Sequence, residues 1–165
     1  MKNLVFALFL VLGTGLNAQL NYKTAIGLRG GETSGLTIKQ GIGGASAIEG
    51  IIGFQGHGLS LTVLYEKYQG TGLAGLNWYF GGGAHATFFK YYYSRKHYFR
   101  DDHYHSNYYY DGGFGIGLDG VIGLEYKIPK APIAFSLDLK PYVEINSHGN
   151  LWTSLDPGLG IKVAF

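Results

Sequence analysis

The chain has 165 residues, a formal net charge of +2 and no cysteine. Its length suits one domain, and without cysteine neither a disulfide framework nor a lipid-modified cysteine is possible. The small net charge gives no electrostatic basis for binding nucleic acid. Glycine (28 residues) and tyrosine (14 residues) are abundant, and no amphipathic helical period follows residue 20. The composition therefore predicts an all-β protein.

The N-terminus predicts a cleavable signal peptide over residues 1–18. Lys2 gives a short basic start, residues 4–12 are a continuous apolar run, and a small and polar segment ends at Ala18. The apolar run is shorter than the roughly 20 residues that a membrane-spanning helix needs, which argues against an N-terminal anchor. An exported chain without such a helix is periplasmic, secreted or a β-barrel. Residues 19–165 are then the predicted barrel domain.

Eight segments with alternating apolar and polar or small residues follow in the mature chain. They are predicted as strands at Tyr22–Arg29, Gly35–Gln40, Ser46–Phe54, Leu59–Tyr68, Leu76–Phe88, Phe114–Tyr126, Ile133–Ile145 and Gly158–Phe165. Pro141 lies within the seventh segment, and because proline removes a ladder donor we expect a bulge there or a position close to the outer rim. The pattern predicts an eight-stranded antiparallel up-and-down barrel.

The faces opposite the apolar ones carry charges of both signs in similar number. The candidate network comprises Lys23, Arg29, Lys39, Lys140 and Lys162 against Glu49, Glu66, Asp119, Glu125, Asp138 and Glu144. Such a balance predicts a barrel interior held by salt bridges. Alternation alone does not distinguish inside from outside, and a soluble ligand-binding barrel would place the apolar face inward.

The last strand favours a membrane barrel. Leu159, Ile161, Val163 and Phe165 share one face, and small or polar residues occupy the other. This pattern is typical of the closing strand of an outer-membrane barrel, in which one face meets lipid. Aromatic residues at strand ends, such as Tyr22, Tyr65 and Tyr126, suit the membrane interfaces.

The signal peptide, the eight alternating strands, the charged interior and the terminal "IKVAF" together resemble the small eight-stranded outer-membrane β-barrel proteins of Gram-negative bacteria. The resemblance implies a transmembrane barrel in the cell outer membrane, in contact with its lipid. It also implies that the barrel-assembly machinery reads the C-terminal strand, with an assembly signal formed by Leu159, Ile161, Val163 and Phe165. We expect a monomer.

The longest predicted connection, Phe89–Gly113, is rich in tyrosine and histidine. Its candidate contact residues are Tyr91, Tyr92, Tyr93, His97, His103, His105, Tyr108, Tyr109 and Tyr110. Tyrosine clusters provide rigid, amphipathic contact area and recur on recognition surfaces. We expect this surface-contact loop to project from the cell toward an extracellular ligand that the sequence does not identify. The alternative is a solvated, protease-sensitive cap.

Motifs for catalysis or cofactor binding are weak. Asp101, Asp102, His103 and His105 are conceivable metal ligands, and Ser106 beside His105 is a conceivable nucleophile and base. Neighbouring residues on one loop do not form a site held within hydrogen-bond reach, so we predict no catalytic residue, metal or cofactor.

The three consecutive glycines at residues 81–83 lack the following helix and lysine of a phosphate-binding loop. We expect them to clear space beside Tyr79 and Tyr142. The sequence therefore favours a non-enzymatic barrel with an envelope-structural or surface-interaction role. The alternatives are a barrel enzyme acting on lipid A or peptides, and a soluble barrel that binds small ligands.

Overall fold

Eight antiparallel strands close into a barrel in the computed structural model of the protein, which describes residues 20, 22–55, 58–94 and 108–165. The strands are β1 (Thr24–Gly31), β2 (Ser34–Gly43), β3 (Ser46–Gln55), β4 (Gly58–Gly70), β5 (Leu76–Ser94), β6 (Tyr108–Lys127), β7 (Ile133–Asn146) and β8 (Leu151–Ala164). Each strand pairs with its neighbour in sequence, and β1 pairs with β8 to close the sheet. The predicted all-β, eight-stranded antiparallel barrel is confirmed. The predicted signal peptide, residues 1–18, lies outside the described residues.

The two ends of the barrel differ in their connections. At one end, which we call the terminal end, β1 begins, β8 ends, and the connections β2–β3, β4–β5 and β6–β7 lie. At the other end, the loop end, β1 connects to β2 and β7 connects to β8, and the ends of β3 and β5 meet the starts of β4 and β6. No helix in the described part of the chain is long and apolar enough to cross a membrane. The alternation of each strand sends large apolar side chains outward and charged or small ones inward.

The strands are longer than predicted on both sides of the tyrosine-rich segment. β5 continues to Ser94 and β6 begins at Tyr108, with Tyr92 opposite Tyr110 and Tyr93 opposite Tyr109. The prediction of a loop from Phe89 to Gly113 was therefore wrong at both of its ends. Aromatic residues favour strands, so the segment that reads as a loop by polarity extends the hairpin.

Pro141 does not cause the expected bulge. It lies within β7 opposite Leu155 of β8, and the register with β6 is the same before and after it. Between Asp119 and Ile122 the β6–β7 ladder skips Gly120 and Val121 of β6, and both of these residues still pair with β5. Gly120 leaves room for the proline ring, since a Cβ there would lie 3.3 Å from Pro141 Cγ. The sheet thus tolerates the missing donor without a change of register.

Candidate functional site

The interior of the barrel contains two ionic clusters, one toward each end. The terminal cluster comprises Lys39, Glu49, Glu66, Glu125 and Lys162. The loop cluster comprises Arg29, His85, Asp119, Asp138, Lys140, Glu144 and Asp156. All these side chains are buried except that of Glu144, which is partly buried near the loop end. Each lies on the inward face of its strand, so the period of two in the sequence produces both clusters.

Lys39 is the centre of the terminal cluster. Its Nζ lies 2.7 Å from Glu66 Oε2, 3.1 Å from Glu49 Oε2 and 3.3 Å from Glu125 Oε2. Lys162 Nζ lies 2.9 Å from the other oxygen of Glu49, which also accepts a hydrogen bond from Thr37. Two ammonium groups thus neutralise most of the charge of three carboxylates.

Two tyrosines complete the surroundings of Lys39. Its Nζ donates to Tyr68 Oη at 2.7 Å and lies 4.5 Å from the centre of the Tyr79 ring. The two rings stack with their centres 5.2 Å apart. Both belong to the small apolar core inside the barrel, which also contains Ala47, Ile51, Leu64 and Val121. Side chains therefore fill this half of the lumen.

Arg29 and Lys140 organise the loop cluster. The Arg29 guanidinium lies 2.5 Å from Asp138 Oδ1 and 2.8 Å from Asp156 Oδ2. Lys140 Nζ lies 3.2 Å from Asp119 Oδ1 and 3.6 Å from Asp156 Oδ2. Asp156 thereby joins the two cations, and the two terminal nitrogens of the guanidinium each donate to a different carboxylate.

His85 has a carboxylate oxygen on each side of its ring. Nδ1 lies 2.8 Å from Asp119 Oδ2 and Nε2 lies 3.2 Å from Glu144 Oε2, which also accepts from Thr87 at 2.6 Å. A neutral imidazole carries one N–H, so both contacts are hydrogen bonds only when the ring or one carboxyl carries an additional proton. The two carboxylates thus provide one acceptor for each ring nitrogen of His85.

The composition of the interior differs from the prediction at two positions. Lys23, predicted to face inward, precedes β1 and is exposed, whereas Asp156, predicted in a connection, is buried. The other members of the predicted network line the interior. In the described part of the barrel, four lysine and arginine side chains therefore face seven carboxylates, and the predicted near balance is wrong. Asp156 could have been found by continuing the inward face of β8 from Lys162 in steps of two residues.

The consecutive glycines at residues 81–83 serve a purpose other than the expected one. A Cβ on Gly81 or Gly83 would overlap a backbone carbonyl of β4, that of Tyr65 or of Val63. The space beside Tyr79 is provided instead by Gly123 of β6, where a Cβ would lie 2.6 Å from Cζ of the Tyr79 ring. These glycines permit close approach of β4 and β5, and Gly123 accommodates the tyrosine.

The interior leaves little free space near the loop cluster. A void of about 10 Å³ lies between Thr33, Ser60, His85, Thr87, Lys140 and Tyr142. That volume corresponds to about one water molecule. A small organic ligand does not fit in this void.

The outer face is apolar along the described strands. The predicted assembly-signal residues, Leu159, Ile161, Val163 and Phe165, all lie on it and are exposed. Outward aromatic residues occur toward both ends: Tyr65, Trp78, Phe80 and Tyr126 near the terminal end, and Phe54, Phe88 and Phe114 near the loop end. Aliphatic side chains predominate between them.

The predicted surface-contact loop is only partly described. Tyr91, Tyr92 and Tyr93 belong to β5 and Tyr108, Tyr109 and Tyr110 to β6, whereas His97, His103 and His105 lie outside the described residues. The same is true of Asp101, Asp102 and Ser106. In the rest of the chain, as far as the structure describes it, no group of three or more His, Cys, Asp or Glu side chains is arranged to hold a metal ion.

The β5–β6 hairpin extends beyond its neighbours at the loop end. β4 reaches β5 at the pair Gly58 and Phe89, and β7 reaches β6 at the pair Asn146 and Gly115. Within the described residues, the segments 90–94 and 108–112 pair only with each other. We call this two-stranded extension the tyrosine ribbon.

Comparisons of the chain with protein-family models, with curated proteins and with solved structures found no match. The functional interpretation therefore depends on the geometry of the interior, the outer face and the tyrosine ribbon.

Proposed function

We propose that the chain is an integral outer-membrane β-barrel protein without enzymatic activity, which contributes to envelope structure or to surface interactions through its loop end. The observation that carries this proposal is the inverted polarity of the barrel. Lys39 is 0 % exposed inside, while large apolar side chains such as Leu159 and Phe165 are exposed outside. A lipid environment suits this arrangement, and water does not.

Both faces of the barrel favour a lipid environment. A continuous apolar wall in water would be far larger than the exposed patches that monomeric soluble proteins present. In a bilayer the same wall is buried, and closure of the sheet satisfies the backbone groups that lipid does not hydrogen-bond. The outward aromatic residues near both ends suit the two interfaces between hydrocarbon and water. Inside, the attraction between paired charges offsets part of the cost of removing them from water.

The packing of the interior favours this proposal over a soluble ligand-binding barrel. Small-ligand sites are mostly apolar clefts of several hundred Å³, whereas the lumen here contains ion pairs and, near His85, a void of about 10 Å³. An eight-stranded barrel has just enough internal space for its own side chains. The proposal includes contact with outer-membrane lipid and insertion by the barrel-assembly machinery.

A surface role is supported by the tyrosine ribbon. Segments 90–94 and 108–112 extend past β4 and β7 at the loop end and contain six tyrosines. Two-stranded ribbons rich in tyrosine offer contact area at a low cost in side-chain entropy. We therefore propose that the ribbon contacts the extracellular ligand.

Two arginine substitutions on one strand test the membrane proposal. Leu139 lies near the middle of β7 and Ile145 near its loop end, both face outward, and they are 44 % and 47 % exposed. In a bilayer, Leu139→Arg is expected to lower the free energy of unfolding by roughly 2–4 kcal/mol, and Ile145→Arg by about 0–1 kcal/mol. Urea titration of the protein refolded in lipid vesicles measures both values.

Cell fractionation of the wild-type protein in a Gram-negative host accompanies the titration. Recovery in the outer-membrane fraction, together with the depth-dependent cost of arginine, is the expected result. In water both substitutions would change stability by no more than about 0.5 kcal/mol. Equal small effects and a soluble periplasmic protein would contradict the proposal.

A further inference from the structure

We propose that the rim at the terminal end of the barrel binds the anionic headgroups of phospholipids in the surrounding leaflet. We call this surface the lysine rim, and it comprises Lys23, Lys67, Lys127 and Lys130. The inference rests on the proposed function, because the rim meets a leaflet only when the barrel spans a membrane.

The lysine rim is positive without acidic side chains beside it on the described surface. Lys23, Lys67 and Lys130 are exposed, and Lys127 is partly buried. The acidic residues of the terminal end are Glu49, Glu66 and Glu125 among the described positions, and all three are buried around Lys39 inside the barrel. No acidic side chain of the described outer surface therefore faces the rim, where an oxygen of Phe165 accepts from the backbone N–H of Lys23.

The distribution of the lysines indicates the kind of partner. Lys23 precedes β1, Lys67 is near the end of β4, and Lys127 and Lys130 lie at the end of β6 and in the connection to β7. They are spread around the circumference of the barrel, so one small anion does not reach them all. A leaflet of negatively charged headgroups surrounds the whole circumference and contacts each lysine separately.

The backbone at Lys130 supports a role for its side chain. Lys130 has a φ of 67°, and it is the one residue other than glycine with a positive φ in the described part of the chain. Glycine or asparagine adopts this left-handed conformation with less strain than lysine does. Lys127 Nζ donates to the carbonyl oxygens of Ile128 and Ala131 in the same connection, which holds Lys130 at the rim.

An outward tryptophan at the same level provides a reporter. Trp78 stacks on Phe80 with ring centres 5.4 Å apart, and Phe80 is opposite Lys67 in the β4–β5 ladder. Tryptophan is enriched at the level of the headgroups in membrane proteins. The second tryptophan of the chain, Trp152, belongs to the opposite, loop end of the barrel.

The experiment measures quenching of Trp78 in the Trp152→Phe protein refolded in phosphatidylcholine vesicles that contain phosphatidylglycerol. Two vesicle samples are compared. In one, the phosphatidylglycerol carries brominated acyl chains, and in the other, an equal amount of the phosphatidylcholine carries them. A lysine at the membrane surface is expected to favour an anionic headgroup by about fivefold. We therefore expect stronger quenching by brominated phosphatidylglycerol, which salt weakens.

The variant combining Lys23→Gln, Lys67→Gln and Lys130→Gln is expected to lose this preference. Lys127 is left unchanged because it braces the connection. The matched control, Trp78→Phe, reports from Trp152 and is expected to be quenched equally by both lipids. Insertion of the wild type with equal quenching of Trp78 by both lipids, or an unchanged preference in the triple variant, would overturn the inference. Failure of the protein to insert into vesicles of any composition would instead overturn the proposed function on which the inference rests.

Discussion

Lys39 is the residue on which the terminal half of the interior depends. Its ammonium contacts Glu49, Glu66 and Glu125 and packs against the rings of Tyr68 and Tyr79. Because the side chain is fully buried, its charge is compensated by these groups and not by water. Removing one partner from a buried ionic cluster leaves the remaining charges both desolvated and unpaired.

Lys39→Met is therefore expected to lower the free energy of unfolding by about 3–5 kcal/mol, although methionine fills a similar volume. Lys23→Met is the matched control, since Lys23 is exposed and its change is expected to remain within about 0.5 kcal/mol. Urea titration in phosphatidylcholine vesicles, which contain no anionic headgroup for Lys23 to bind, measures both variants. Similar stability of the two would mean that the terminal cluster does not hold the interior together.

At the scale of the element, β8 closes the barrel. Its residues Gly158 to Ala164 pair with β1, and the amide and carbonyl of Phe165 exchange hydrogen bonds with Thr24 at 2.8 Å. From Leu151 to Pro157 the strand pairs with β7 but not with β1, within the described ladders. Both halves of β8 present apolar side chains outward, but only the segment from Gly158 to Ala164 closes the sheet against β1.

Phe165→Asp is expected to reduce the amount of folded protein in the outer membrane severalfold. Leu151→Asp is the matched control, since Leu151 begins β8 and Phe165 directly follows it, and the two side chains are 68 % and 66 % exposed, respectively. Cell fractionation followed by a folding-sensitive gel shift measures the yield. Refolding of both variants in detergent separates assembly from stability, because the assembly machinery is absent there. Equal yields in cells would contradict a role for Phe165 in assembly.

At the scale of the whole molecule, the barrel and the tyrosine ribbon are held by different sets of contacts. β5 and β6 are each held on both sides as far as Phe89 and Gly115, and beyond these residues the ribbon pairs only with itself in the described part. The ion pairs described inside the barrel lie on the barrel side of that boundary. The ribbon therefore contributes little to closure of the sheet.

Replacement of residues 90–112 by a short Gly-Ser turn is expected to leave the barrel folded, with a change in the free energy of unfolding below about 1 kcal/mol. The same deletion is expected to abolish binding to whichever host matrix protein, glycan or neighbouring cell the wild type binds. Urea titration and a binding panel measure the two properties. Identical binding by both proteins would leave only a structural role for the barrel.

Residue pattern and tertiary structure determined different parts of this protein. The period of two assigned Ser136, Asp138 and Lys140 to one face of β7 and Leu137 and Leu139 to the other, because successive side chains of a strand point to opposite sides. Strand ends were less predictable. The ribbon reads as a loop because its residues are polar and aromatic, yet backbone pairing of β5 with β6, which places Tyr92 opposite Tyr110, makes it a hairpin.

By itself, the sequence determined the number of strands, their antiparallel order and the two faces of each, since these follow from local alternation and short connections. Closure decided which face lies inside, because either face of an alternating strand can line a barrel. Closure also decided the ionic partners. Arg29 of β1 contacts Asp156 of β8 and Asp138 of β7 because β1 pairs with β8 and β8 pairs with β7. Strand ends depend on pairing with the neighbouring strands and not on the strand's own pattern. For this reason Lys23 lies just outside β1 and is exposed, whereas Asp156 lies within β8 and is buried.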